Sequence, residues 1–410
     1  MSTRRYADLN VSKRTILTPG PVEVDPRVLR ALSTPILGQF DPEFTALMNE
    51  TSQMIRDVFR TTNARALPVN GSSRAGIEAA LAAVVEPGDH VLVPVFGRFG
   101  NLLIEIAERL DARVETLETS WGTSFPPGVI AEAVRAKRPQ VLALVHGETS
   151  TGQMQSFDGI GEACREASTL LVVDAVATLA GVPFETDLWK VDVAVAGAQK
   201  CLSVPAGMAP VTWNDRAEAK MRARRRVERG LRSGGEPESE RPPIRSNYLD
   251  LVQLADYWSP ARLNHHTETT SMLYALREGL RVVLEEGLEE RWQRHRLHEA
   301  AVVAGVQALG LELYGDPGSK LPVVACVTVP DGLDGDAVRA FLLDRFGVEI
   351  ASSFGPLRGK IWRIGTMGYS ASRFNVLHGL GALEATLLHF GVRAPAGKAV
   401  EAALKVYEGS

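Results

Sequence analysis

The chain has 410 residues, 45% of them hydrophobic and 23% charged, with a formal net charge of −4. That length allows two or three packed units, or one large α/β domain with a satellite, and the composition is ordinary for a soluble globular protein. No apolar run approaches the roughly eighteen residues of a membrane span, and the charge makes no general case for nucleic acid.

The opening "MSTRRYADLNVSKRT" is polar and basic and lacks the apolar stretch of a secretory signal, so the expected compartment is the cytoplasm. Three widely spaced cysteines, Cys164, Cys201 and Cys326, fit a reducing environment without a disulfide framework or a zinc cluster. In chain order, Gly71, Ser72 and Ser73 open an Ala-rich stretch that predicts a helix. "HVLVPVF" (90–96), "VLALVH" (141–146), "LLVVDA" (170–175) and "VDVAVAG" (191–197) then read as strands, with helices predicted in "NLLIEIAERLD" and "IGEACREAS". Continuous apolar strands separated by helices imply a mostly parallel sheet covered on both faces, and a ligand site beyond the strands' carboxyl ends.

The basic run "RAEAKMRARRRVERGLR" (216–232) reads as a solvated helix face rather than a polyanion patch, because no aromatic residues interleave with its charges. "RSGGEPESERPPIRSN" (232–247) reads as an exposed mobile loop, after which helical patterning resumes at "YLDLVQLADYW". A long helix from about Thr270 leads into a second unit. Strand signals there in "LPVVACVTV", "VEIASS" and "KIWRIGTM" alternate with helices at "DAVRAFLLDRF" and "SRFNVLHGLGALEATLLHF", which suggests a small α+β domain.

Three features carry chemistry. The small polar residues Gly71, Ser72 and Ser73 at a helix start offer N–H groups and hydroxyls to an anion such as phosphate, although a Gly-Ser pair there is also an ordinary cap. Asp174 ends a very apolar strand and needs a cationic or proton-donating partner. Lys200 follows the next strand, and a lysine removed from water becomes a usable nucleophile near neutrality. A buried Asp174–Lys200 salt bridge would explain the last two equally well. Together the three suit a cofactor with a phosphate, a basic ring nitrogen and an aldehyde between them, which is the shape of pyridoxal phosphate.

The segments "TPGPVEVDPRVL", "GSSRAGIEAAL", "HGETSTG", "VVDAVAT", "GAQKCLSVPAGMAP" and "WRIGTMG" resemble the motifs of class V, fold-type I aminotransferases of the serine/alanine–glyoxylate branch, from about Thr18 to about Gly391. Within that branch, "GQFDPEF", "SNYLDLVQLADYW" and "RLNHHTETTSMLYALREG" are similar to bacterial purine-catabolic enzymes that act on (S)-ureidoglycine and glyoxylate. The resemblance implies an α/β fold of the PLP-transferase type, whose large domain holds a mostly parallel seven-stranded sheet beside a smaller C-terminal α+β domain. The expected limits are an N-terminal arm at 1–20, a large cofactor-binding domain at 21–278, a small domain at 279–395 and a tail at 396–410.

The resemblance further implies that Lys200 is the Schiff-base lysine and the proton carrier, that Asp174 pairs with the pyridine nitrogen, and that Phe99 stacks on the ring, where many relatives carry tryptophan. Ser72, Ser73 and Gln199 would hold the phosphate, and Thr149 would lie near the ring hydroxyl. Thr267 would reach the phosphate of a neighbouring subunit, which implies a homodimer with shared sites. Arg363 would grip the α-carboxylate with two parallel hydrogen bonds.

Asn264 stands where alanine–glyoxylate enzymes typically carry tyrosine, and Gln39 falls in the segment that lines the family's site. Two carboxamides complement a ureido group better than a methyl group, unless both cap local backbone. The expected reaction is therefore a ping-pong transfer from (S)-ureidoglycine to glyoxylate, with serine– or alanine–glyoxylate (or pyruvate) transamination as the alternative. A desulfurase needs a mobile cysteine, and Cys326 reads as a strand residue; a non-catalytic binding protein has no need of Lys200, Asp174 and Arg363 together. Cys201 reads as a packing residue in a tight loop rather than a reactive thiol. His146, His265 and His266 read as hydrogen-bonding or packing residues, with no second cluster at metal-ligand spacing.

Overall fold

The structure, a computed structural model, describes residues 6–231, 239–393 and 395–409. Seven strands, β1 (Arg65–Gly71), β2 (His90–Val95), β3 (Arg113–Glu118), β4 (Val141–Val145), β5 (Leu170–Asp174), β6 (Val193–Val195) and β7 (Gly207–Trp213), form one sheet in the order β1-β7-β6-β5-β4-β2-β3. From β3 to β6 every neighbouring pair is parallel, and β7 runs antiparallel to both β1 and β6. Every residue of β2, β4, β5 and β6 is buried, because helices cover both faces and leave no side for polar residues. This is the mostly parallel α/β sheet that the apolar runs announce.

Two connecting helices begin just past the carboxyl ends of strands: α1 (Ser73–Val84) follows β1, and α2 (Arg98–Arg109) follows β2. The long helix expected from Thr270 is α3 (Thr270–Glu286), and α4 (Leu288–Ala308) continues after a break at Gly287. Beyond it, β8 (Val324–Thr328), β9 (Ala351–Ser352) and β10 (Ile361–Gly365) make a second, antiparallel sheet in the order β8-β10-β9. Helices Gly335–Phe346 and Arg373–His389 flank it, as their patterns predict.

Among the described residues, one of the three apolar cores includes Cys201, Leu321 and Cys326, and the other two correspond to the two larger sheets. One gathers the seven-stranded sheet with α1 to α3. The other joins Ala301, Val302 and Val306 of α4 with Ala325, Val327, Trp362 and Ile364 of the small sheet. Leu17 belongs to the second core, and Thr15–Ile16 pairs in parallel with Val348–Glu349. The segment read as an N-terminal arm is thus stitched to the C-terminal unit. Of the segment read as a tail, Lys398–Glu408 forms a helix that packs on α4 with Ala399 and Ala403 buried.

One buried carboxylate sets the stagger of the two strands that matter most. Asp192, fully buried just before β6, accepts from the Leu171 N–H of β5 at 2.8 Å and from Asn214 Nδ2 at 2.8 Å. It pairs with Arg216 at 3.0 Å and Arg165 at 3.3 Å. Of the loop predicted at 232–247, residues 232–238 lie outside the described residues, and 239–247 are largely exposed apart from Ile244. No described helix is long and apolar enough to cross a membrane.

Candidate active site

The parallel register aligns Val145, Asp174 and Val195 at the carboxyl edge of β4, β5 and β6. An apolar strand buried on both faces carries its last residue inward, so Asp174 is 6% exposed, and its Oδ1 accepts from the Val176 N–H at 2.9 Å. Burial pushes its carboxyl up to about 6, against that hydrogen bond and the pull of Lys200. After β6 the chain turns through Gly197-Ala198-Gln199-Lys200, closed by a Lys200 N–H to Gly197 C=O bond of 3.4 Å, and the next turn is closed by a Ser203 N–H to Lys200 C=O bond of 2.9 Å. The Lys200 ammonium is pushed down to about 8, first by loss of water and then by the charge of Arg363. Its Nζ donates to the carbonyl oxygen of Pro19.

Asp174 and Lys200 share a cavity of about 200 Å³ with Ser72, Ser73, Phe99, Thr149 and Gln199. Every residue that the sequence assigned to a cofactor, except Thr267, therefore lines one space. Ser72 sits at the N-cap of α1 but makes no capping bond with its side chain, so the first turn keeps N–H groups open to an anion. The Ser73 hydroxyl lies 2.7 Å from Gln199 Nε2 and 2.9 Å from Oε1, which joins the helix start to the lysine turn.

Arg363 lies in the middle of β10, opposite Cys326 and Ala351, and is 5% exposed. Its Nε donates to Ser352 O at 2.8 Å, its Nη1 donates to Thr149 O at 3.1 Å, and its guanidinium stands 4.7 Å from the Phe354 ring. Burial pushes it down to about 10, which still leaves it charged at neutral pH. The bond to Thr149 carries the small-sheet arginine to the edge of the cavity in the large one.

The remaining candidates lie elsewhere. Gln39 Nε2 donates to Asn264 Oδ1 at 3.2 Å, which leaves Gln39 Oε1 buried without a hydrogen-bond partner. Asn264 and Thr267 are exposed. None of the three lines the cavity of its own chain. His146 packs among Phe157, Phe184 and Trp189, and His266 accepts from Asn70 Nδ2 at 2.6 Å, so packing and hydrogen bonding occupy these rings. Burial pushes the Cys201 thiol up to about 11 and the Cys326 thiol up to about 12, which makes both poor nucleophiles.

Two charged residues escaped the sequence reading. Arg74, one position past Ser73, also lines the cavity. Glu148 is completely buried; its carboxylate accepts from the Phe99 N–H at 2.8 Å, the Ser150 N–H at 3.0 Å and the Ser150 hydroxyl at 2.6 Å. It thereby fixes the start of α2 and the placement of Phe99. An acid just past an apolar strand is the signal that singled out Asp174, and it was present at Glu148 too.

A lysine, an aspartate and an open helix start thus gather around one cavity, and a buried arginine from a second sheet reaches its edge through Thr149. The class-V aminotransferase profile matches residues 31–359, and the chain belongs to that family. It is 58% identical, over 100% of its length and 98% of the relative's, to the (S)-ureidoglycine–glyoxylate transaminase of Bacillus subtilis strain 168. The crystal structure of ureidoglycine–glyoxylate aminotransferase from Bacillus subtilis superposes with a TM-score of 0.93, covering 98% of this chain and 100% of that one. The alanine–glyoxylate aminotransferase of Callithrix jacchus is more distant, at 38% identity over 93% of this chain and 89% of its own.

Proposed function

We propose that the protein transfers the amino group of (S)-ureidoglycine to glyoxylate, with pyridoxal 5′-phosphate as cofactor, releasing oxalurate and glycine. The observation that carries the choice of donor is the end-to-end 58% identity with the Bacillus subtilis transaminase, against 38% with the alanine–glyoxylate enzyme. The residues around the cavity fit the cofactor. The open first turn of α1 with Ser72, Ser73 and Gln199 suits a phosphate, Asp174 suits a protonated ring nitrogen, and Phe99 and Thr149 offer an aromatic wall and a hydroxyl.

When bound, the cofactor supplies a ring that accepts the electrons left by the donor's α-hydrogen. Asp174, as a carboxylate, keeps the ring nitrogen protonated. Lys200 holds the cofactor at rest, and its released amine takes the donor's α-proton, a role suited to an ammonium pushed down to about 8. Arg363 grips the α-carboxylate that ureidoglycine and glyoxylate share, so one pocket serves both half-reactions.

Gln39 and Asn264 pair with each other, and the exposed Asn264 amide can both donate to and accept from a ureido group. Their position outside their own chain's cavity, with Thr267 exposed nearby, supports a homodimer in which the three serve the partner's site. The test is the single-turnover rate at which (S)-ureidoglycine, L-serine and L-alanine each convert the cofactor to its amine form. A wide lead for ureidoglycine, with recovery by glyoxylate, is expected; a lead for serine or alanine overturns the donor and leaves the cofactor chemistry standing.

A further inference from the structure

The motif "TPGP" (Thr18–Pro21) has no part in the chemistry described so far, yet it lies against the reactive lysine. Lys200 Nζ donates to Pro19 O. The next residue, Gly20, has φ +103°, and a Cβ added there would fall 2.5 Å from Lys200 Nζ and 2.7 Å from Cε. The backbone conformation there disfavours any side chain, and one placed there would push the tip of Lys200 off the carbonyl.

This carbonyl is held in place. Leu17 O accepts from the Gly365 N–H at 2.7 Å, two residues beyond Arg363 on β10, and the Thr18 hydroxyl donates to Pro21 O at 2.8 Å. Further on, the Glu23 N–H donates to Ser370 Oγ at 2.9 Å. The segment is thus fixed to the strand that bears Arg363 and to the loop after it. A backbone carbonyl so placed is a rigid acceptor that costs no side-chain entropy to aim.

We propose that the Pro19 carbonyl is the seat of the Lys200 amine while that amine is free of the cofactor, and that Gly20 is a positioning residue whose missing side chain admits the lysine to that seat. One N–H of the amine bonds Pro19 O, which turns the lone pair towards the cavity. The lone pair takes the donor's α-proton, and the ammonium so formed binds the carbonyl more strongly until it gives the proton up. The inference rests on the reading of Lys200 as cofactor anchor and proton carrier.

The experiment uses Gly20→Ala holoenzyme beside wild type. Borohydride fixation of the cofactor to Lys200 is measured first. Single turnovers with glycine and [2,2-²H₂]glycine, which run the glyoxylate half-reaction in reverse, then give the chemical rate, the deuterium effect and the apparent glycine Kd. The expected result is fixation at Lys200 in both proteins, a chemical step slower by about tenfold or more in the variant, a larger deuterium effect, and a glycine Kd within about threefold of wild type. Thr18→Val, which introduces no backbone strain and frees the turn, is expected to move the deuterium effect in the same direction by a smaller amount, and it stands alone if Gly20→Ala does not fold. Wild-type rate and deuterium effect in the folded variants overturn the proposal. Failure of wild type to fix cofactor at Lys200 overturns instead the reading beneath it.

Discussion

Replacing Arg363 by lysine separates a substrate grip from a structural cation. Arg363 spends Nε on Ser352 O and one Nη1 hydrogen on Thr149 O, and it packs on Phe354. Those contacts fix the guanidinium plane and leave Nη2 with the second Nη1 hydrogen for a two-point bond to a carboxylate. Lysine keeps the charge but offers one point and no planar face. A hydrogen bond to a charged group contributes about 1.5–3 kcal/mol, so kcat/KM should fall by about 10- to 150-fold. Because donor and acceptor present the same α-carboxylate, the loss should appear equally in both half-reactions. Stopped-flow single turnovers with the amino donor and, separately, with glyoxylate measure each one. A loss confined to one half-reaction, or below about threefold in both, would refute the reasoning.

Asn264→Tyr is expected to shift preference from ureidoglycine towards alanine or serine in the same assay, and an unchanged donor ranking removes Asn264 from the specificity argument. Asp192→Ala orphans the Leu171 N–H and unpairs Arg216; about 3 kcal/mol of stability should be lost in urea unfolding, and a loss below 1 kcal/mol would mean that β5 and β6 hold their stagger without it. His146 is buried and pushed down to about 3, so the unfolded chain gains a proton near pH 6.5 that the folded chain refuses. Stability is therefore full above that pH and falls as pH drops from 6.5 towards 3. His146→Phe should remove this dependence, making the difference in unfolding free energy between pH 7.5 and 5.5 smaller by about 1.3 kcal/mol than in wild type; an unchanged difference means the ring accepts a proton in place.

What could be read from sequence was set by how residues declare their surroundings. Strands that end in Asp174 and precede Lys200 were visible because burial on both faces leaves an unbroken apolar run. β1 and β7 were not visible as runs: Pro68 faces Pro210 in their register, and proline dilutes a strand pattern. α4 hid for a different reason. Its buried face carries Arg291, His295, His298 and Glu299, so the usual stripe of apolar residues is broken by polar groups that Cys201 O, the Gly368 N–H, Tyr407 and Lys320 partner from elsewhere in the fold. At the site, Glu148 and Gly20 sit inside motifs that were read, but what they do, accepting from the Phe99 N–H and leaving room beside Lys200, depends on contacts that only the fold brings together.

The stitching of the N-terminal segment to the C-terminal sheet sets a timetable for biosynthesis. The Glu23 N–H finds Ser370 Oγ across 347 positions, and Thr15 Oγ1 finds His378 Nδ1 across 363. At about 5–20 residues per second, a ribosome needs roughly 10–30 s to pass from Lys200 to Gly365. Throughout that interval the large sheet has Asp174 and Lys200 in hand, while the segment that covers the lysine has no strand to join and the arginine has not been made. A nascent chain is therefore an unguarded lysine with no grip on substrate, and competence should arrive late, in one step, when the newest part of the polypeptide captures the oldest.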